Sequence, residues 1–229
     1  MPRVSAQHEQ EVRDRIVRAA IGVFALHGFH RATMQDIVRA SGLSVGAIYT
    51  YFKSKSDLIL AGCDLITDQE LGELRDRLST VTDYRERVAV ALGFFFDQFE
   101  EQRAGRGTAL LMTQAWAEAD ADPAIREMLR RRRREIVTSV ALLLQEGVVR
   151  GELPAWLDVE RIAHAIAALL DGITIEAIED GPAYRREDAE RRALALLETL
   201  FAARDAASPV PLEPVAPVPY ESLKGARAS

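Results

Sequence analysis

Residues 42–58 read GLSVGAIYTYFKSKSDL, and this stretch decides the fold. A glycine inside a helical turn costs helix propensity, and two tyrosines beside two lysines make a poor core. The polar punctuation, by contrast, is regular. Ser44 stands at a helix N-cap, with Leu43 before it and Ile48 at the fourth helical position to form a hydrophobic staple. Ser54 caps the next helix with Asp57 three residues on, a capping-box pattern. Upstream, Thr33 with Asp36 caps a short helix that ends at Gly42. Three capped starts so close together predict three tightly turned helices. A first helix from Gln10 to His27, stopped by Gly28, precedes them.

The second and third helices, joined by ASGLS, form a helix-turn-helix, whose second helix enters the DNA major groove while the first braces on the backbone. Ala47, Ile48 and Phe52 point inward, which leaves Val45, Gly46, Tyr49 and Thr50 outward. Gly46 permits close approach to DNA, and Val45 and Thr50 can offer methyl contacts to thymine. Tyr49 and Tyr51 can donate to phosphates, unless they pack into the core. Thr33, Ser44, Lys53 and Lys55 complete the expected DNA-facing set. Thr33 and Lys55 sit at helix starts whose free N–H groups attract anions.

The motif TMQDIVRASGLSVGAIYTYFKSKSDLI, Thr33 to Ile59, resembles the DNA-binding signature of TetR-family transcriptional regulators. The likeness extends over the first 60 residues, including HGFHRAT and the YTYFKSKSDL ending. One departure is Val45, where many relatives carry lysine or another polar residue. The resemblance implies a homodimer on a palindromic operator, usually repressing, and released by a small ligand held in the C-terminal domain. An activator of the same fold is the alternative.

Charge distribution agrees with a DNA-binding N-terminus. The first 60 residues hold eight Lys/Arg against five Asp/Glu, a local +3. The overall net charge is −6, so the remaining 169 residues carry −9. A lone cysteine, Cys63, excludes an intrachain disulfide framework. No apolar run suggests a signal peptide or a membrane span, so a soluble, cytoplasmic protein is expected, with no membrane partner.

Apolar spacing at three and four continues to the end of the ordered pattern, predicting an all-α protein. Helices are expected at 55–79, 83–103, 106–119, 123–149, 158–179 and 186–204. The division reads as a helix-turn-helix DNA-binding domain over 1–55 and a helical ligand-binding and dimerisation domain over 56–204. A Pro-rich flexible tail follows over 205–229, with five of the nine prolines between Pro209 and Pro219.

Phe95, Phe96, Phe99, Met112 and Trp116 are the candidate cavity walls; each could equally be plain core. The run RRRRR at 130–134 cannot all share one helix face. A solvated helix supported by Glu127–Arg131 and Arg131–Glu135 pairs is one reading. In the other, Arg133 reaches a cavity or seam and anchors an anionic ligand or a buried carboxylate. The helix over 162–175 is apolar nearly all round and resembles the penultimate helix of many TetR-family members, which pairs across the dimer. His164, Ala167, Ala168, Asp171, Leu197, Leu200 and Phe201 are the candidate dimer contacts, Asp171 having a pocket-lining role as its alternative.

A helical enzyme is the rival class. No H-E-x-x-H, G-x-S-x-G or phosphate-loop motif occurs, and neither cofactor nor metal is expected. A helical adaptor that docks protein is the other. The effector chemistry stays open between a lipophilic cation, an acyl chain with an anionic head, and a neutral aromatic.

Overall fold

The computed structural model describes residues 6–103, 109–203 and 205. The expected Pro-rich tail lies outside them, apart from Asp205. Nine α-helices and no strand occur among the described residues: α1 (Ala6–Arg31), α2 (Met34–Ser41), α3 (Val45–Tyr51), α4 (Lys55–Ser79), α5 (Tyr84–Arg103), α6 (Ala109–Glu118), α7 (Pro123–Val149), α8 (Val159–Asp180) and α9 (Arg186–Ala202). A 3-10 turn over Gly181–Ala183 joins the last two.

Local chemistry sets the boundaries. Thr33 and Ser54 each close a capping box, with Asp36 and Asp57, and Ser44 accepts from the Ala47 amide at 3.2 Å. Gly42, at φ 67°, ends α2 in the left-handed conformation that glycine favours. Asp122 caps α7 ahead of Pro123, whose missing N–H costs nothing at a first turn.

Gly28 ends the regular part of α1, as expected: its φ of 75° and ψ of 163° are not helical, and a short turn to Arg31 follows across the kink. The kink frees the Phe29 N–H from the helical ladder, and Gln114 Oε1 on α6 accepts it at 2.8 Å.

One core joins the N-terminal helices to the rest. Ile16, Ala20, Phe24, Ile37, Ile48 and Phe52 pack with Leu58 and Cys63 of α4, Leu111 and Ala115 of α6, and Ile125 and Met128 of α7. The chain passes residue 55 without a break in this packing. A second core sits between α5, α7 and α8, around Tyr84, Val137, Leu144 and Ala163. A third joins α5, α8 and α9 around Phe96, Ile173, Ala189 and Ala193. Asp97 of α5 ties two of these elements together, accepting from Arg77 of α4 at 2.8 Å and Arg186 of α9 at 2.9 Å.

Candidate nucleic-acid interface and cavity

On α3, Ile48 and Phe52 are fully buried, and the Arg13 guanidinium lies 4.5 Å over the Phe52 ring. Their burial turns the opposite face outward, where Val45, Gly46, Tyr49 and Thr50 are exposed. Val45 and Tyr49 are 53% and 41% exposed. The Thr50 hydroxyl donates to the Gly46 carbonyl at 2.9 Å, so its methyl and lone pairs remain for a partner. Tyr51 is half-buried against the core. Lys53 Nζ donates to the Tyr49 carbonyl at 2.6 Å, at the negative end of α3.

Two expected phosphate groups are engaged elsewhere. Lys55 begins α4, but its ammonium donates to the Phe29 carbonyl at 2.6 Å and the Ala32 carbonyl at 3.3 Å. It thereby satisfies carbonyls at the C-terminal end of α1 instead of facing outward. The Thr33 hydroxyl accepts from the Asp36 amide and donates to Asp36 Oδ2 at 2.6 Å, so its proton is already used. That donation, with the Thr33 amide, holds the Asp36 carboxyl below the usual carboxylate range. Arg39, on the exposed face of the bracing helix, was missed by the sequence reading; it pairs with Asp36 at 3.6 Å.

Behind these helices α4 to α9 line a partly open cavity of about 650 Å³. Its walls are mostly leucine, valine, isoleucine and aromatic side chains. Of the candidate wall residues, Phe95, Met112, Trp116 and Arg133 line it. Phe96 does not: it is fully buried in the core between α5, α8 and α9, and Phe94 takes a place on the wall instead. Phe99 belongs to α5, but its side chain lies outside the described residues.

The arginine run fans out to three helices. Arg131 pairs with Asp64 of α4, Arg132 with Glu70 of α4 at 2.9 Å, and Arg134 with Glu127 on α7 itself at 2.9 Å. Arg133 crosses to Asp171 of α8, and both line the cavity. The expected Glu127–Arg131 and Arg131–Glu135 pairs give way to these contacts. Burial pushes the Asp171 carboxyl up, against the opposing pull of Arg133.

Several candidate dimer residues also face this cavity. Ala167, Asp171, Leu197, Leu200 and Phe201 line it, and Ala167 is 3% exposed, so they are turned toward their own chain. His164 and Ala168 remain on the outer face of α8. Beside them Leu169, Ile175 and Ile178, with Leu194 and Leu196 on α9, are exposed apolar side chains that the sequence reading had not separated from the inner ones.

Among the described residues, no group of three His, Cys, Asp or Glu side chains is placed to hold a metal ion. No described helix is long and apolar enough to cross a membrane.

A helix-turn-helix with an exposed second helix, set on a helical body with a partly open cavity, is the architecture of a helical DNA-binding protein. Comparisons with known proteins carry this further. A family model described as bacterial regulatory proteins, tetR family, matches residues 16–61, and one described as BetI-type transcriptional repressor, C-terminal, matches residues 84–202. The chain belongs to the TetR family, and it is a DNA-binding transcriptional regulator. The HTH-type transcriptional regulator TtgR of Pseudomonas putida is 29% identical over 183 residues, which cover 76% of this chain and 83% of the relative. The solved structure of a TetR transcriptional regulator from Chloroflexus aurantiacus is similar at TM-score 0.71 and 27% identity, covering 84% of this chain and 96% of that one. A putative transcriptional regulator from Saccharomonospora viridis, solved in complex with choline, shares the fold at TM-score 0.67 and 21% identity, over 82% and 96% of the two chains.

Proposed function

We propose that the chain is a ligand-responsive repressor that binds a palindromic operator as a homodimer and leaves it when a small hydrophobic or amphipathic molecule enters the cavity. In this reading residues 1–55 meet DNA and residues 56–204 hold the effector and the dimer face, and the protein works in the cytoplasm beside its operator. The DNA-facing residues are Ser44, Val45, Gly46, Tyr49, Thr50 and Lys53, with Tyr51 and Thr33 bracing them.

The observation that carries the reading is the position of α6. One side of this helix lines the cavity through Met112, Thr113 and Trp116, and Gln114 holds the kink of α1. Filling the cavity therefore acts on the wall that is bonded to the DNA-binding helices. A choline-bound protein of the same fold supports small-molecule binding in this architecture. The exposed apolar side chains of α8 and α9 support a twofold helix-pairing interface, which presents two recognition helices to half-sites one helical turn apart or a multiple of it.

Sedimentation of the protein alone and with an enriched operator tests the assembly. The expected species are a dimer and a dimer–operator complex. A monomer that binds single half-sites equally well contradicts the homodimeric reading.

A further inference from the structure

The cavity runs along α7. Its lining residues there extend from Leu129 to Glu146, and at 1.5 Å per residue they span about 26 Å, a length along which one extended hydrocarbon chain can lie against apolar side chains.

Polar groups in the middle of the cavity are already spent. The Ser139 hydroxyl donates to the Glu135 carbonyl and the Thr174 hydroxyl to the Leu170 carbonyl, both at 2.9 Å. Most charged groups on the wall are also paired, but unequally, and the exposed Arg75 has no ion-pair partner among the described residues. Arg87 donates to Glu146 and to the carbonyls of Leu78 and Val81. Arg132 is shared between Thr67 and Glu70. Arg133 has Asp171 alone among the described residues, although a guanidinium carries five N–H donors.

The sign of the missing partner follows. Four arginines and three carboxylates line the cavity; the excess is the exposed Arg75, and the net positive wall favours an anion over a cation. Within the Arg133–Asp171 pair the guanidinium cannot lose its proton, whereas the half-buried carboxyl is pushed toward its neutral form. Asp171 is thus the member that can be replaced, and a carboxylate arriving from outside can take the guanidinium in bidentate fashion.

We infer that the effector is a single-chain anionic amphiphile whose carboxylate replaces Asp171 on Arg133 and whose chain lies between α5 and α7, toward the Arg87–Glu146 pair. The inference rests on the reading of this cavity as the effector site.

The test titrates dodecanoate, dodecyltrimethylammonium and dodecanol, below their micelle concentrations, against the full chain. Displacement of a cavity-bound environment-sensitive fluorophore and loss of affinity for an operator selected from random DNA are read in parallel. Dodecanoate is expected to act at least tenfold more tightly than the other two. Arg133→Met removes that preference, Arg133→Lys restores part of it, and Asp171→Asn keeps or strengthens it. Each variant is first checked for an unchanged cooperative melt, and the lysine rescue keeps the test decisive if the methionine variant does not fold. Tightest action by the ammonium compound, or an undiminished dodecanoate preference in Arg133→Met, overturns the head-group assignment and leaves the cavity reading standing. Displacement by none of the three, with operator affinity unmoved, overturns both.

Discussion

Gln114 on α6 accepts the backbone N–H of Phe29 at 2.8 Å, across the seam between the cavity wall and the kink of α1. His30 of the same segment approaches Glu118 of α6 at 3.0 Å, and Lys55 of α4 holds the Phe29 carbonyl. Three helices are thus fixed around one residue.

Replacing Gln114 with Leu strands the partly buried Phe29 N–H. An unsatisfied donor costs about 1–3 kcal/mol, so the urea midpoint is expected to fall accordingly. Effector affinity is expected to stay near wild type, while the change in operator affinity on effector binding shrinks. A variant with full effector response removes the Gln114 bond from the coupling.

Gly147 has no room for a side chain. A Cβ there runs into Tyr84 Oη and Cζ and comes within 2.8 Å of Leu153 Cδ1. Gly147→Ala is expected to destabilise by about 1–3 kcal/mol, the usual cost of overpacking a core. Tyr84→Phe does not rescue it, because the ring carbon stays in the way. Thermal melts of the single and double variants check both statements.

Asp97 makes stability depend on acid. Burial alone raises its carboxyl, but the hydrogen bonds from Arg77 and Arg186 outweigh burial and hold it below the usual carboxylate range. A depressed folded value stabilises the fold above the unfolded value of about 3.9, and that contribution is lost as pH falls through the folded one. Asp97→Asn is therefore less stable than wild type at neutral pH, and the gap closes as the pH is taken below about 4. A gap that widens in acid contradicts the assignment.

The capping boxes give a simpler expectation. Thr33→Ala and Ser54→Ala each remove one, at about 1 kcal/mol, seen as a lower denaturation midpoint. Thr33→Ala is expected to weaken DNA binding only through α2, leaving the salt slope unchanged. A reduced slope shows that the Thr33 hydroxyl meets a phosphate after all.

The sequence carried the helices well where their ends have local causes. Ser54 with Asp57, Asp122 with Pro123, and Gly42 mark boundaries through contacts within a few residues. Gly28 marked the end of the first regular helix, but the bond that holds the turn beyond it comes from Gln114, 85 residues away, and is not legible locally. Phe94, Phe95 and Phe96 step about 100° apart around α5, so periodicity alone cannot say which of them faces the cavity and which the core against α9. The apolar positions on α9 had the same weakness. Leu197 and Leu200 turn toward their own cavity while Leu194 and Leu196 turn out, and the sequence marks both sets as apolar. Lys55 was read by its place at a helix start, but carbonyls brought close by the fold claim it first.

Selection of bound DNA from a random pool, followed by a salt titration on the winning sequence, tests the central claim most directly. The account predicts one inverted repeat, bound with a log–log salt slope of about −0.9 per neutralised phosphate and weakened by Tyr49→Phe. No enrichment from a folded dimer freed of bound small molecules would contradict it.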